Sequence, residues 1–249
     1  MIDSSPPDLD RVLGVLASDP PNVHPNAPQG VWAAADDCLE FLAATVRTGS
    51  RTLETGCGAT TIVFAAAGSH HDAVFLDGFE GEGVLAWCTK HGVSTEHVAF
   101  HAGSSSETLP RLDIGPLDLV MVDGCHGFPF PQLDWYYTAS HLVDGGVLVV
   151  DDTHLPAPYE LRRYLESDPR WERIRVGSQW AAFRRKGSGS LDEEWVSQQF
   201  HQPLALRAQA VRRQVRGTLG RLRRRLRASP GISQSQQAGV SDSIRDTTA

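Results

Sequence analysis

Cysteine is scarce in this 249-residue chain, and none of the four (Cys38, Cys57, Cys88, Cys125) stands in Cys-x-x-Cys spacing. Neither a zinc site nor a disulfide framework is indicated. No apolar run approaches the roughly 20 residues that span a bilayer, and the opening Met1-Ile2-Asp3-Ser4-Ser5-Pro6-Pro7 is acidic and proline-bearing rather than basic then apolar. The expectation is a protein of the reducing cytoplasm, at most peripheral to a membrane. Internal repeats are absent, and the length suits one α/β domain with a tail.

Positive charge is missing from most of the chain. Residues 1–200 hold 13 Lys and Arg against 28 Asp and Glu, whereas residues 201–249 hold 10 against 2. An acidic body excludes a broad nucleic-acid face on the folded domain, because phosphate contacts need clustered cations. The basic residues gather instead at 204–228, where nine arginines accompany Val211, Val215, Leu219, Leu222 and Leu226 at helical spacing. That pattern predicts a basic amphipathic helix, suited to an anionic membrane surface or an acidic partner.

Four segments follow from composition: a proline-rich stretch over 1–30 with a short helix at 9–16, a domain over 31–187, a linker and basic helix over 188–228, and a polar tail over 229–249 that is expected to be disordered. Within the domain, a helix is expected over 31–46. Strand-like runs at 52–54, 73–76, 97–100, 117–122 and 146–150 then alternate with helix-like runs at 61–67, 81–91, 105–112, 131–142 and 157–165. Alternation of this kind predicts parallel βαβ units, here a doubly wound Rossmann-like α/β sheet. Two runs at 171–176 and 179–184, parted by Gly177-Ser178, add a closing antiparallel hairpin.

The most informative motif is Leu53-Glu54-Thr55-Gly56-Cys57-Gly58, an acid closing a short strand before a glycine turn. Glycines let the backbone turn sharply and come close to a ligand. A dinucleotide fingerprint wants a third glycine where Thr61 stands, and a P-loop wants Gly-Lys-Ser/Thr, which is lacking. Glu54 would repel a pyrophosphate yet welcome the ammonium of an amino-acid-bearing cofactor, such as S-adenosylmethionine (SAM). Asp77, or Glu80 in its place, suits a ribose at the tip of the second strand. Ser104, after the third strand, stands where an adenine would be contacted.

A second constellation joins the strand ending in Asp123-Gly124-Cys125-His126 to the strand ending in Asp151-Asp152. Strands of a parallel sheet terminate on one edge, so Asp123, Asp151 and Asp152 should converge beside the cofactor turn, with Asp123 serving both cofactor and metal. Converging carboxylates need neutralising, and Mg²⁺ with its oxygen ligands is the simplest neutraliser. The alternative is that these acids cap loops and helices. His126 is the best-placed general base, since imidazole titrates near neutral pH.

These motifs resemble those of the class I SAM-dependent methyltransferases, and more narrowly the metal-dependent sugar and natural-product O-methyltransferases, over residues 52–184. The resemblance implies a methyl transfer to a hydroxyl of a small molecule. Glu54, Gly56, Gly58 and Asp77 would hold SAM, Asp123, Asp151 and Asp152 would bind Mg²⁺, and His126 would deprotonate the acceptor. Several enzymes of that branch carry Glu-Asp where this chain has Asp151-Asp152. Two other readings stay open: a metal-independent methyltransferase of another small molecule, and a non-catalytic RNA- or partner-binding protein acting through its basic helix.

Overall fold

The computed structural model describes residues 9–24, 33–187, 190–192 and 198–201. The expected basic helix and polar tail lie outside the described residues, as does most of the linker before them. Among the described residues, no helix is long and apolar enough to cross a membrane.

Seven strands form one sheet: β1 (Arg51–Thr55), β2 (His70–Phe75), β3 (Val98–Ala102), β4 (Leu117–Val122), β5 (Leu142–Val150), β6 (Trp171–Val176) and β7 (Ala181–Arg185). Their order is β3-β2-β1-β4-β5-β7-β6. The first five run parallel, and β7 pairs antiparallel with both β5 and β6. The expected doubly wound sheet with a C-terminal hairpin is the fold observed.

Period-two alternation assigns each strand residue to one of two apolar layers. On β4 and β5, Leu119, Met121, Val147 and Val149 face one layer, and Val120, Val122, Leu148 and Val150 face the other. The first layer is filled by α1 (Leu9–Ser18), α2 (Asp36–Thr45), α3 (Ala59–Ala66) and α4 (Gly78–His91) through Leu16, Leu42, Phe64 and Trp87. The second layer is closed by α7 (Pro156–Ser167) through Leu161 and Leu165. Two further helices, α5 (Ser105–Thr108) and α6 (Phe130–Thr138), follow β3 and β4.

Element ends differ from expectation where glycine and proline intervene. The helix expected over 105–112 stops at Thr108 and tightens into a 3-10 turn at Leu109–Arg111, where Pro110 brings no backbone N–H. The helix expected to run to 142 ends at Thr138, and β5 begins at Leu142 rather than 146. Leu142 pairs with Leu117, and the register then shifts because Gly145 turns with φ 81°. The break at Asp144-Gly145-Gly146 therefore interrupts a strand rather than starting one.

Candidate active site at the strand ends

Backbone hydrogen bonds carry the parallel ladder one residue past each strand and set the loops side by side. Gly56 N–H donates to Val74 O at 2.8 Å, Gly103 N–H to Phe75 O at 2.7 Å, Asp123 N–H to Thr55 O at 3.0 Å and Asp151 N–H to Val122 O at 3.0 Å. Every candidate loop thus leaves the sheet on one edge.

The two glycines of the first turn serve different ends. Gly56 has φ 108°, and a Cβ there would lie 2.7 Å from the carbonyl oxygen of Asp123. Gly56 is required by the close approach of two loops. Gly58 is extended, and among the described residues a Cβ there would meet nothing within 4 Å. It leaves an open cradle over the first turn of α3, the space a ligand could fill.

Glu54 departs from expectation. It is fully buried, because Leu53 faces the second layer and places Thr52 and Glu54 under α3 in the first. Thr60 Oγ1 donates to Glu54 Oε2 at 2.6 Å, Thr61 Oγ1 donates to Oε1, and His71 Nε2 lies 3.2 Å from Oε1. The expected contact with a cofactor ammonium is not what this burial favours: the described hydrogen bonds of the Glu54 carboxylate are made inside the fold.

Asp77 is the N-cap of α4, its Oδ1 accepting the Phe79 N–H at 3.1 Å. Glu80, one turn on, is half-buried, and burial first, then the charge of Asp77, pushes its carboxyl up to about 7. Both acids stand at the tip of β2. Ser104 precedes α5, its hydroxyl 2.9 Å from that of Ser106.

At the ends of β4 and β5, one donor atom each from Asp123, His126 and Asp152 lies within 4.8 Å of the others. His126 Nδ1 is 3.2 Å from Asp152 Oδ2, and its Nε2 faces Asp123 Oδ1 at 3.6 Å. Asp151 is not part of this group: it is buried, and its Oδ1 accepts the N–H of Asp152 at 2.8 Å. The expected trio of carboxylates is thus replaced by two carboxylates and an imidazole. Asp123 raises the His126 imidazole above its ordinary range, burial opposes it, and Asp152 adds to the rise. Burial pushes the carboxyls of Asp123 and Asp151 upward.

His126 Nε2 is a buried atom without a hydrogen-bond partner among the described residues. A ring whose two nitrogens each face a carboxylate, with no hydrogen bond made by Nε2 among the described residues, is a donor set that could hold a divalent cation. The mixed N,O,O set widens the choice from Mg²⁺ to Mn²⁺, Fe²⁺ or Zn²⁺, since imidazole suits transition metals and Mg²⁺ prefers oxygen.

Asp134 was missed in the sequence. With Pro131 and Thr138 it forms the buried face of α6, and among the described residues neither carboxylate oxygen completes a hydrogen bond. The hydroxyls of Ser105 and Thr55 are its polar neighbours, and burial raises its carboxyl. A charged residue at i+3 on an otherwise buried helical stripe was the available signal.

Comparison with known proteins agrees with the fold. Residues 53–153, from β1 to the loop after β5, match the family model described as a methyltransferase domain. No curated protein sequence matches the chain. The solved O-methyltransferase TomG from Streptomyces achromogenes, involved in tomaymycin synthesis and in complex with SAM, is 20% identical, with TM-score 0.55 over 72% of this chain and 89% of its own. The O-methyltransferase from Bacillus cereus, in complex with S-adenosylhomocysteine (SAH), is 17% identical, with TM-score 0.53 over 72% and 90%. The SAH-bound methyltransferase PaMTH1 from Podospora anserina is 17% identical, with TM-score 0.55 over 73% and 89%. The sheet order and the matched segment agree: residues 53–153 are similar to a methyltransferase domain, and the described chain has the Rossmann-like fold of these solved methyltransferases.

Proposed function

We propose that the protein transfers the methyl group of SAM to a hydroxyl of a small molecule, of the sugar or natural-product kind, with the help of a divalent cation. The observation that carries this reading is the convergence of Asp123, His126 and Asp152 within 4.8 Å beside the open cradle at Gly58. The likeness in fold to TomG, an enzyme of natural-product synthesis, supports the acceptor class.

In this reading SAM lies across the Gly56–Gly58 turn, with Asp77 and Glu80 toward its ribose and Ser104 toward its adenine. The acceptor hydroxyl gives its proton to water, its oxygen attacks the sulfonium methyl in line, the C–S bond breaks, and SAH leaves as a neutral thioether. Asp123 and Asp152 hold and orient the acceptor end of the site, and much of the acceleration comes from positioning. Asp123, His126 and Asp152 would hold the cation, and His126 takes the place that the sequence suggested for Asp151. When bound, the cation supplies Lewis-acid charge that favours loss of the acceptor's proton.

The 3.2 Å contact between His126 and Asp152 favours one second reading: a cation-free base in which Asp152 orients the imidazole and His126 takes the proton itself. One experiment separates the two. The purified full chain is incubated with methyl-labelled SAM and a panel of glycosides, phenols and alcohols, before and after chelation and then with added Mg²⁺, Mn²⁺ or Zn²⁺. Label on a hydroxyl, lost on chelation and restored by a cation, supports the proposal. Full activity after chelation leaves the His126–Asp152 base, and SAM binding without any methylated hydroxyl overturns O-methyl transfer.

A further inference from the structure

The acid of the first motif is enclosed by a buried polar chain that the transfer reaction does not use. Thr52, Glu54, Thr61 and Ser69 are 0% exposed and His71 is 2% exposed, and in the sheet Thr52 stands directly beside His71. Hydrogen atoms can be assigned along this chain by counting donors. Ser69 Oγ donates to the Phe64 carbonyl at 2.8 Å, so its proton is used. Thr52 Oγ1 donates to Ser69 Oγ at 3.2 Å, so its proton is used as well. With that proton given to Ser69, the 2.8 Å contact between Thr52 Oγ1 and His71 Nδ1 is made by a proton on Nδ1; a neutral ring, with Thr52 donating to Nδ1 instead, is the alternative that the nitrogen spectra below decide.

The other ring nitrogen, Nε2, faces Glu54 Oε1 at 3.2 Å. Glu54 already accepts the hydroxyl protons of Thr60 and Thr61, the pattern of an ionised carboxylate. Two lone pairs facing each other at this buried position would be repulsive, so Nε2 carries a proton. On this assignment both ring nitrogens of His71 donate, Nε2 to the Glu54 carboxylate. The ring of Phe64 stacks on the imidazole at 4.4 Å between centroids and 18° between planes, a contact that favours a cation over an aromatic face.

The far end of the chain reaches the cofactor turn. Thr61 gives its proton to Glu54 and with the same oxygen accepts the N–H of Gly58 at 2.9 Å. We propose that His71 is a positioning residue of the cofactor turn: protonated on both ring nitrogens, it holds Glu54 under α3, and Glu54 through Thr61 sets the backbone of Gly58. The role rests on the reading of the Gly56–Gly58 turn as the seat of SAM. It also explains why Glu54 is withdrawn from the cofactor, since its charge is balanced within the fold.

The test uses the full chain labelled with ¹⁵N-histidine, SAH calorimetry and steady-state kinetics. His71 should show both ring nitrogens protonated at pH 7, and a neutral tautomer overturns the proposal. His71→Phe fills the space and keeps the stack on Phe64 while removing both donors. SAH binding should weaken by about tenfold or more, the worth of a hydrogen bond to a charged group, and the KM for SAM should rise far more than kcat falls. Unchanged SAH affinity in a folded His71→Phe variant overturns the role.

Removing one partner of a buried ion pair strands the other charge, whereas removing both does not. The double variant His71→Phe with Glu54→Gln should therefore be more stable and bind SAH more tightly than His71→Phe alone. A double variant no better than the single one counts against the pair. If His71→Phe does not fold, the nitrogen spectra and the double variant still decide. Failure of the wild type itself to bind SAH would sink the cofactor reading, a result separate from a difference between variants.

Discussion

His126 Nδ1 lies 3.2 Å from Asp152 Oδ2, and Asp152 reaches that position from a left-handed backbone conformation with φ 49°. Few residues other than glycine adopt that conformation, although aspartate and asparagine tolerate it. The turn is fastened on both sides. Leu155 N–H donates to Asp152 O at 2.8 Å, and Thr153 N–H donates to Gln179 O at 2.6 Å. The β6–β7 connection thus holds the loop that presents Asp152 to the site.

Neighbouring acids in this loop should fail differently. Asp152→Asn keeps a side chain that tolerates the backbone, so its melting temperature should stay near that of the wild type. Its turnover should fall by on the order of a hundredfold, because a charged group at the transfer point is gone. Asp151→Asn still offers an oxygen to the N–H of Asp152 and should retain most activity and cation affinity. Metal titration and single-turnover methyl transfer check both. Equal losses in the two variants would restore Asp151 to the site.

The two glycines separate folding from binding. Gly56→Ala brings a Cβ against the carbonyl of Asp123 and demands φ 108° of an L-residue, so it should lose about 2–3 kcal/mol of stability. Gly58→Val meets open space and an extended backbone. It should melt close to the wild type while SAH binding disappears. Thermal melts with SAH calorimetry read the difference, and normal SAH binding in Gly58→Val would place the cofactor elsewhere.

Strands β4 and β5 and their terminal acids were legible because runs such as Leu119-Val120-Met121-Val122 are apolar enough to be buried on both faces and end abruptly in charge. The convergence of Asp123 and Asp152 follows from the parallel order alone. What the local pattern did not reveal depends on direction. Whether Glu54 points outward or under α3 is set by the parity of Leu53 in β1, and whether Asp151 or Asp152 faces His126 is set by one left-handed residue. His71 and Asp134 were hidden for a related reason, since each acquires its meaning from groups far along the chain: Thr52 and Glu54 for one, Thr55 and Ser105 for the other.

Glu80 gives the site a pH dependence whose sign can be worked out. Burial, with the charge of Asp77, raises its carboxyl from 4.5 to about 7 in the folded chain. Between those values the folded state binds more protons than the unfolded one, so stability falls as pH rises through the interval and levels off above it. Glu80→Gln removes this cost. The variant should therefore melt with the wild type near pH 4.5 and above it at pH 8, by about 3–6 °C if the cost is on the order of 1–2 kcal/mol. Ribose hydroxyls donating to Glu80 would favour its ionised form, so SAH should bind the wild type more tightly at pH 8 than at pH 6, and Glu80→Gln should lose most of that gain. Thermal melts and calorimetry across pH 5–8 measure both effects. Equal melting of the two proteins at pH 8 would show that Glu80 is already ionised without cost. A pH gain in SAH affinity that survives Glu80→Gln would leave the ribose to Asp77.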